Sequence, residues 1–411
     1  MLKFIFNANP SKFGSGVGLL WRGNRIDLLN QILRRFFFSK TKKSEVTFLF
    51  ESARSAIYNL LASQDIGDGD EVVISAFTCE AVSNAVIRAG ACPVYVDVND
   101  DLTMCDEQVL AALTSNTRAV IIQNTLGRLG LRLGTINLLR RKGVFLIEDC
   151  ALSIGSERDR VSLGTFGDIS VWSMEVSKTI TIGWGGVAEP NCLLARDALM
   201  GRYSNLGSVS MGADIRRLFQ LWFSLLMVRF PVPGATLIWY FFYGTRIFRR
   251  SNRRTTRHPT AQERMGLLSV KLYNSMEPSL ASLYEKTNRN YLRLENEAQS
   301  LKLDCPIIQS HGERVVAPRF SILVNPDEVE ALVQHALING IEVGRWFSDC
   351  PPKYQLKRCR VLGSDNARRI GERIVNFPCH WSLEEEELEK IKAVFAYIAD
   401  QRKVVMPIAN I

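Results

Sequence analysis

Short apolar runs rich in β-branched residues alternate with stretches of helical length between residue 46 and about residue 200. Strands and helices that alternate at this spacing predict βαβ units, whose parallel sheet is buried on both faces. Several runs end in small or polar residues, at the strand ends where α/β sheets place their ligands. The strands that we predict are Val46–Phe50, Glu71–Ile74, Pro93–Val98, Arg118–Ile122, Val144–Ile147 and Ile169–Trp172.

The pattern changes further along the chain. Residues 218–244 carry a single charge, and a long helical pattern follows over about 261–300. A strand at 315–324, a helix at 327–339 and an acidic helix after Trp381 then predict a compact α+β domain. The parts that we expect are a basic lead-in (1–45), a large domain with a hydrophobic insertion at about 214–250 (46–260), connecting helices (261–300) and a small C-terminal domain (301–411).

Composition narrows the class of protein. The 411 residues suit one large α/β domain and a smaller one, and 46% hydrophobic with 23% charged residues is typical of a globular chain. The nine cysteines are odd in number, scattered and without a CxxC pair, which argues against a zinc site and a disulfide framework and favours a reducing cytoplasm. The N-terminus lacks a long apolar core and a cleavage site, so we predict no signal peptide.

Two features could bind a charged cofactor. Residues 52–56 (SARSA) open a helix with small residues, whose free N–H groups suit a phosphate, although an ordinary serine cap has the same pattern. An apolar strand ends in Glu148 and Asp149, and a buried carboxylate there needs a partner. That partner could be a pyridinium nitrogen, a metal ion or a helix N-terminus.

A third feature could form a covalent bond. Lys178 is flanked by small and apolar residues and precedes a glycine-rich turn, and burial there would free its amine to form an imine. A surface lysine before a loop is the common alternative. Ser173, five residues earlier, could donate a hydrogen bond to a phosphate.

The order of these features resembles the DegT/DnrJ/EryC1/StrS family of sugar aminotransferases, which depend on pyridoxal 5′-phosphate (PLP). The resemblance covers residues 46–206 and 261–400, and not the stretch between them. The segments that carry it are GDGDEVVISAFTCEAVSNAVIRAGACPVYVDVN, AVIIQNTLG, LIEDCALSIGS, SLGTFGDISVWSMEVSKTITIGWGG, ERMGLLSV, IEVGRWF and IVNFPCHWSLEEEELEKI. It implies a PLP-dependent transferase of fold type I, with a mostly parallel seven-stranded sheet, a small C-terminal α+β domain and a homodimer that completes the active sites.

The resemblance also assigns roles to individual residues. Lys178 would bind PLP as an imine and move protons, and Asp149 would pair with the pyridine nitrogen. Ser173 would hold the phosphate together with the backbone amides of Ala53 and Arg54.

Several positions depart from the family. Cys79 stands where many members have an aromatic residue that stacks on the cofactor, and Leu152 stands where they have a glutamine near the cofactor hydroxyl. Asn124 replaces a common histidine, Gln262 an asparagine that reaches the neighbouring subunit, and Trp184 the glutamate of a GEGG motif. We therefore predict that Cys79, Asn124 and Leu152 contact a cofactor whose anchor is kept while its surroundings have diverged.

The hydrophobic insertion is long enough to cross a membrane, but Arg229, Pro231 and Pro233 interrupt it. A single crossing would also separate Lys178 from the helix after residue 261, which the family packs around one site. Its aromatic residues and flanking arginines instead predict a hairpin or helix pair on a membrane surface, with a buried dimer or lid element as the alternative. The predicted lipid contacts are Trp222, Phe223, Arg229, Trp239, Tyr240 and Phe241.

Together these features predict an aminotransferase that moves an amino group from an amino acid, glutamate in the family, to a keto-sugar on a nucleotide or a lipid. We expect it to serve surface polysaccharide, lipopolysaccharide or antibiotic-sugar synthesis, at the inner face of the cytoplasmic membrane. One alternative is a PLP-dependent sugar dehydratase, which in the family lacks the lysine; the other is a diverged scaffold or sensor at the membrane. We expect no metal ion, and the net charge of +9 without a nucleic-acid-binding motif predicts no nucleic-acid partner.

Overall fold

The computed structural model describes residues 47–175, 177–227, 263–276, 280–352 and 358–404. The strands in chain order are β1 (Phe48–Phe50), β2 (Glu71–Ser75), β3 (Cys92–Val96), β4 (Thr117–Gln123), β5 (Phe145–Asp149), β6 (Glu157–Arg158), β7 (Val161–Ser162), β8 (Ile169–Ser173), β9 (Gly186–Pro190), β10 (Glu313–Arg314), β11 (Arg319–Leu323), β12 (Arg360–Val361) and β13 (Ile374–Pro378). The helices are α1 (Ala53–Ser63), α2 (Glu80–Ala89), α3 (Asp106–Ala111), α4 (Leu133–Arg141), α5 (Leu193–Ser204), α6 (Met211–Met227), α7 (Leu267–Met276), α8 (Leu280–Ser300), α9 (Val329–Ile338), α10 (Asp365–Arg373) and α11 (Glu385–Val404).

The main sheet has the strand order β1-β9-β8-β5-β4-β2-β3-β12 within the described residues. Strand β9 pairs antiparallel with both β1 and β8, so it runs against the other seven strands, which all point the same way. The mostly parallel sheet predicted from the sequence is confirmed. The eighth strand is β12, a two-residue strand from the C-terminal part of the chain that extends the sheet beyond β3.

The predicted strands of the sheet are confirmed, with shifted ends. Strand β5 continues to Asp149 and strand β8 to Ser173, so these two polar residues belong to the strands rather than to the loops after them. The central residues of the strands are fully buried on both faces of the sheet, as expected for a parallel sheet between helices.

The strand predicted at 315–324 is shorter in the structure. Strand β11 begins at Arg319, one residue after Pro318, which has no N–H to donate to a ladder. The backbone of Val316 is bonded instead to the Ser156 hydroxyl, which accepts from its N–H at 2.8 Å and donates to its carbonyl at 3.2 Å.

The C-terminal part of the chain has its own small sheet and aromatic core. Strand β11 pairs antiparallel with β13, and helices α8, α9 and α11 pack around the pair. The ring of Phe320 lies 5.2 Å from that of Tyr291, and Phe377 meets Phe395 edge-to-face at 4.9 Å. This agrees with the predicted α+β architecture. The domain boundaries themselves remain predictions, and the lead-in at 1–45 lies outside the described residues.

A buried carboxylate joins the C-terminal part to the main sheet. Asp97 follows β3 and is nearly buried, and its two oxygens accept hydrogen bonds from the backbone N–H groups of Asn366 at 2.9 Å and Ala367 at 2.8 Å. These N–H groups are in the first turn of α10, where a negative charge also favours the helix dipole. Asp97 therefore fixes α10 against the carboxyl edge of the sheet.

We expect Asp97→Ala to lower the free energy of unfolding by about 2 kcal/mol, because one buried and one partly buried N–H group at the start of α10 lose their acceptor. Urea denaturation followed by circular dichroism measures the change. Asp100→Ala is the control: Asp100 is exposed and pairs with Arg369, so its loss should cost at most about 0.5 kcal/mol. Equal effects of the two substitutions would contradict the proposed role of Asp97.

Candidate active site

The residues predicted to bind a cofactor lie where strands of the main sheet end. Ser52, Ala53 and Arg54 follow β1, Cys79 follows β2, Asp149 ends β5 and Ser173 ends β8. Because β1, β2, β5 and β8 point the same way, their carboxyl ends meet at one edge of the sheet. The sequence separates these residues by up to 121 positions, and the fold gathers them at this edge.

The N-terminus of α1 forms one wall of the site. Ser52 has extended backbone angles, and its hydroxyl caps the helix by accepting from Ser55 N–H at 3.2 Å. Gly186 pairs in register with Ser173 and lies so close to Ser52 and Ala53 that a Cβ at this position would overlap their backbone. The structure thus brings Ser173 next to the start of α1, as the predicted phosphate site requires.

Neighbouring carboxylates at the end of β5 point to opposite faces of the sheet. Glu148 is fully buried and accepts hydrogen bonds from three backbone N–H groups, those of Gly164 at 2.9 Å, Phe166 at 2.5 Å and Gly167 at 2.7 Å. It also accepts from Asn124 Nδ2 at 2.8 Å. Glu148 is therefore a structural group that anchors the loop before β8.

Asn124 belongs to this structural network. Its Nδ2 donates to Glu148, and its Oδ1 accepts from Gly130 N–H at 2.9 Å. The side chain is fully buried with both of its polar ends bonded on the Glu148 side. We therefore correct the prediction that Asn124 contacts the cofactor: the alternation of side chains along the strands turns it away from Asp149.

Asp149 faces the other side of the sheet and is 7% exposed. Burial raises the pKa of its carboxyl group, because the charged form loses its hydration; the N–H of Ala151, 3.0 Å from Oδ1, and the Lys178 ammonium act in the opposite direction. A carboxylate in this position is stabilised by a positively charged ligand group. A protonated pyridine nitrogen has the required charge and an N–H to donate.

Lys178 is half-buried, and its Nζ lies 5.2 Å from the centre of the Trp346 ring. Trp346 comes from the C-terminal part of the chain, between α9 and β12, and its neighbour Phe347 meets Phe77 edge-to-face at 5.4 Å. The site therefore has a floor from the main sheet and a wall from the C-terminal part. The IEVGRWF segment was part of the family resemblance, but nothing in its letters assigned Trp346 a place beside Lys178.

Several buried polar atoms at this edge fit a polar ligand. Within the described residues, Arg54 Nε, Thr78 Oγ1 and Thr179 Oγ1 are buried without a hydrogen-bond partner. Each lies in or beside a predicted cofactor-binding residue, and unpartnered buried polar groups are rare in folded proteins. Together with the helix N-terminus, Asp149 and Lys178, they match the phosphate, ring nitrogen and aldehyde of PLP. Thr78 and Thr179 were missed in the sequence, where a threonine next to a cysteine or a lysine carries no signal.

The other two diverged positions have different surroundings. Cys79 is half-buried and stands at the N-cap of α2, without a side-chain hydrogen bond to the helix. Leu152 is nearly buried and packs in the apolar core on the Asp149 side of the sheet. Both lie on the correct side for contact with a cofactor, which remains a prediction.

The hydrophobic insertion is described only in part. It begins within α6, which contains Trp222 and Phe223, while Arg229, Trp239, Tyr240 and Phe241, like Gln262, lie outside the described residues. None of the described helices is long and apolar enough to cross a membrane.

The fold matches a solved structure over nearly its whole length. A DegT DnrJ EryC1 StrS aminotransferase from Brucella abortus superposes with a TM-score of 0.64 at 22% sequence identity, covering 96% of this chain and 95% of that protein. The predicted fold class is thereby confirmed. At this level of identity the likeness shows the fold.

Sequence comparison finds similarity to one family over part of the chain. Residues 19–209 match the model of the DegT/DnrJ/EryC1/StrS aminotransferase family. The chain is 32% identical over 185 residues to dTDP-4-dehydro-2,3,6-trideoxy-D-glucose 4-aminotransferase of Saccharopolyspora spinosa, covering 44% of this chain and 47% of that protein. It is 33% identical over 156 residues to GDP-perosamine synthase of Vibrio cholerae, covering 38% and 42%. The matches span less than half the length of these relatives. They confirm the resemblance to the DegT/DnrJ/EryC1/StrS family over residues 19–209.

The two carboxylates of β5 should respond differently to neutralisation. We expect Glu148→Gln to lower the free energy of unfolding of the cofactor-free protein by about 2 kcal/mol, because an amide NH2 group would face buried N–H donors. Chemical denaturation at neutral pH measures the change.

Asp149→Asn is the matched comparison, and we expect equal or higher stability because it removes a charge that burial disfavours. A raised pKa in the folded state means that the wild type loses stability as the pH rises above about 4, the usual aspartate value. The gain from Asp149→Asn should therefore disappear below that pH, where Asp149 is protonated in both folded and unfolded chains. A loss of stability in Asp149→Asn as large as that in Glu148→Gln would contradict the assignment.

Proposed function

We propose that this protein is a PLP-dependent aminotransferase that moves an amino group from an amino acid, with glutamate as donor, to a keto-sugar carried on a nucleotide or a lipid. The observation that supports it most is that Lys178 and the buried carboxylate of Asp149 lie at the same carboxyl edge of the sheet, where the lysine acts electrostatically on the carboxylate. We further propose surface-polysaccharide or lipopolysaccharide synthesis as its setting, in the cytoplasm at the inner face of the membrane.

Each anchor contributes a separate task. The N-terminus of α1 and Ser173 would hold the phosphate, because free N–H groups and the helix dipole favour an anion. Asp149 would keep the ring nitrogen protonated. When bound, PLP supplies an aldehyde that condenses with amines and a ring that accepts electrons.

Lys178 would carry out the proton transfers. Its Nζ, held beside the Trp346 ring, is the basic atom that would take a proton from the amino-acid carbon and return it on the cofactor side. A lysine suits this task because its four-carbon stem lets one nitrogen reach both positions. The wall formed by Trp346 and Phe347 would keep water from these steps. A homodimer, with each subunit completing the site of the other, is part of the proposal.

We expect Lys178→Ala to lose both the absorbance of lysine-bound PLP and amino transfer, with a rate at least about 100-fold lower, because acid–base catalysis typically contributes that much. Spectra of the purified protein and a coupled glutamate assay measure the two effects. Lys142→Ala, at an exposed lysine after α4, is the control and should leave both unchanged.

The same spectra separate the enzyme from a scaffold or sensor. Adding L-glutamate to the wild type should bleach the PLP band as the cofactor becomes aminated. A wild type that binds PLP but shows no change with any amino acid would contradict the aminotransferase and favour the scaffold. A Lys178→Ala protein with an unchanged spectrum and full activity would rule out the lysine assignment.

We also propose that the insertion holds the enzyme on a membrane surface. In the described part, α6 exposes Met211 and Ile215 one turn apart, and Leu267 at the start of the packed helix α7 is also exposed. The chain then continues into residues 218–244 with their single charge, and residues 216–257 contain nine arginines and no acidic residue. An apolar ridge that leads into an aromatic and arginine-rich segment suits an anionic lipid surface.

We expect the wild type to sediment with vesicles that contain anionic lipid, and Ile215→Glu to bind them at least about 3-fold more weakly, because a charge would replace an apolar contact at the ridge. Ile338→Glu is the control, since Ile338 is also an exposed isoleucine and lies on another helix, α9. Wild-type protein that stays in solution with every vesicle would contradict membrane binding. Loss of a dimer in Ile215→Glu, without any vesicle binding, would identify the ridge as a subunit contact instead.

A further inference from the structure

Arg319 holds a positive charge beside the reactive lysine. It is the first residue of β11, and its guanidinium carbon lies 5.5 Å from the centre of the Trp346 ring. Lys178 Nζ lies 5.2 Å from the same ring centre, so the two cationic groups cannot be further apart than these two distances combined. An amino-acid substrate could therefore contact both groups at once.

The charge of Arg319 is poorly balanced by its surroundings. Its Nη1 donates to the Glu342 carbonyl oxygen at 3.2 Å, and the Glu342 carboxylate is the charge that acts on it electrostatically. Desolvation nevertheless lowers the pKa of the guanidinium. Among the described residues, Arg319 takes part in no ion pair within 4 Å, whereas Arg314 pairs with Glu157 at 2.6 Å and Arg217 with Glu51 at 2.8 Å.

The guanidinium of Arg319 is desolvated, but the residue is not closed off from solvent. The group lies deep enough to be desolvated, yet the residue is only partly buried by surface area. The guanidinium and the Lys178 ammonium both lie next to the Trp346 ring, so a ligand that reaches Lys178 comes near Arg319. A desolvated guanidinium close to an indole ring presents N–H donors in the geometry that a carboxylate accepts.

We propose that Arg319 binds a carboxylate of the amino-acid donor. The inference rests on the proposed function and names the residue that recognises its first substrate. The donor fits this place better than the sugar does, because its carboxylate is attached to the carbon that carries the reacting amine. The phosphate groups of a nucleotide-linked sugar are separated from the keto carbon by the sugar ring. The PLP phosphate is assigned to the opposite wall, at the start of α1.

The test uses PLP-loaded protein and glutarate, a dicarboxylate that has no amine or keto group and so binds without reacting. Isothermal titration calorimetry gives its dissociation constant, with the uncharged diamide glutaramide as the reference ligand. We expect Arg319→Gln to weaken glutarate binding about 10- to 100-fold, the range expected for a charge-assisted hydrogen bond. Binding of glutaramide should not change.

Kinetic measurements provide a second readout. In Arg319→Gln the concentration of L-glutamate at half-maximal bleaching should rise by a similar factor, while the absorbance of lysine-bound PLP stays as in the wild type. Arg314→Gln is the matched control, because that arginine already has a carboxylate partner, and it should bind glutarate like the wild type. Arg319→Lys keeps the charge and loses the paired donors, so we expect an intermediate affinity.

The outcomes separate the inference from the proposed function. A wild type that does not bind glutarate, or an Arg319→Gln protein that binds it equally well, overturns the role of Arg319. If Arg319→Gln does not fold, Arg319→Lys decides, and wild-type affinity in that variant overturns the role as well. A wild type whose PLP band does not respond to amino acids refutes the aminotransferase proposal, whatever the result with glutarate.

Discussion

Burial of two adjacent carboxylates at the end of β5 is the constraint on which the site depends. Neither Glu148 nor Asp149 can stay charged inside the protein without partners, because an unpaired buried charge costs several kcal/mol. Strand geometry sends them to opposite faces, where the chain solves the problem in two ways. Glu148 receives four hydrogen bonds from the protein itself, whereas Asp149 receives one from Ala151 and the field of Lys178. Asp149 has fewer partners than Glu148, and a cationic ligand group on its face of the sheet would supply the missing one.

The second wall of the site depends on how the C-terminal part is held. Asp97 caps α10, and β12 pairs with β3, so two separate contacts fix this part against the carboxyl edge of the main sheet. The segment that leads from α9 to β12 carries Trp346 onto Lys178. A small shift of this part would move the indole ring and Arg319 together, since both belong to it. If Arg319 binds substrate as proposed, recognition would be coupled to the packing of residues such as Asp97 at the start of α10.

The sequence predicted the sheet well because its strands carry a strong local signal. Runs such as Val120–Ile122 are apolar and β-branched, and a parallel sheet buries them on both faces, so the pattern and the fold agree. The order Asp149, Ser173, Lys178 was also visible, since each follows or ends such a run. Strand β12 was not predictable in this way, because two residues, Arg360 and Val361, are too few to show a period.

The parts of the site that could not be predicted from the sequence depend on contacts between residues that are far apart along the chain. Asn124 was assigned to the cofactor from its place in a motif, and only the strand geometry turned it toward Glu148. Arg319 and Trp346 lie more than 140 residues from Lys178, and neither belongs to a motif with a chemical meaning of its own. Their place beside the lysine follows from the docking of one part of the chain on another.

The charges around the site explain which ligands it can accept. Lys178, Arg54 and Arg319 contribute three cationic groups, from the turn after β8, from α1 and from β11, whereas Asp149 and the Glu342 carboxylate near Arg319 are negative. Bringing like charges into one cleft costs free energy unless anions enter with the ligands. A phosphate at α1 and a carboxylate at β11 would each neutralise one arginine, which leaves Lys178 and Asp149 to act on the group between them. Cations at these two places would therefore limit the combined length of the two ligands, and would set which of their atoms lie beside Lys178.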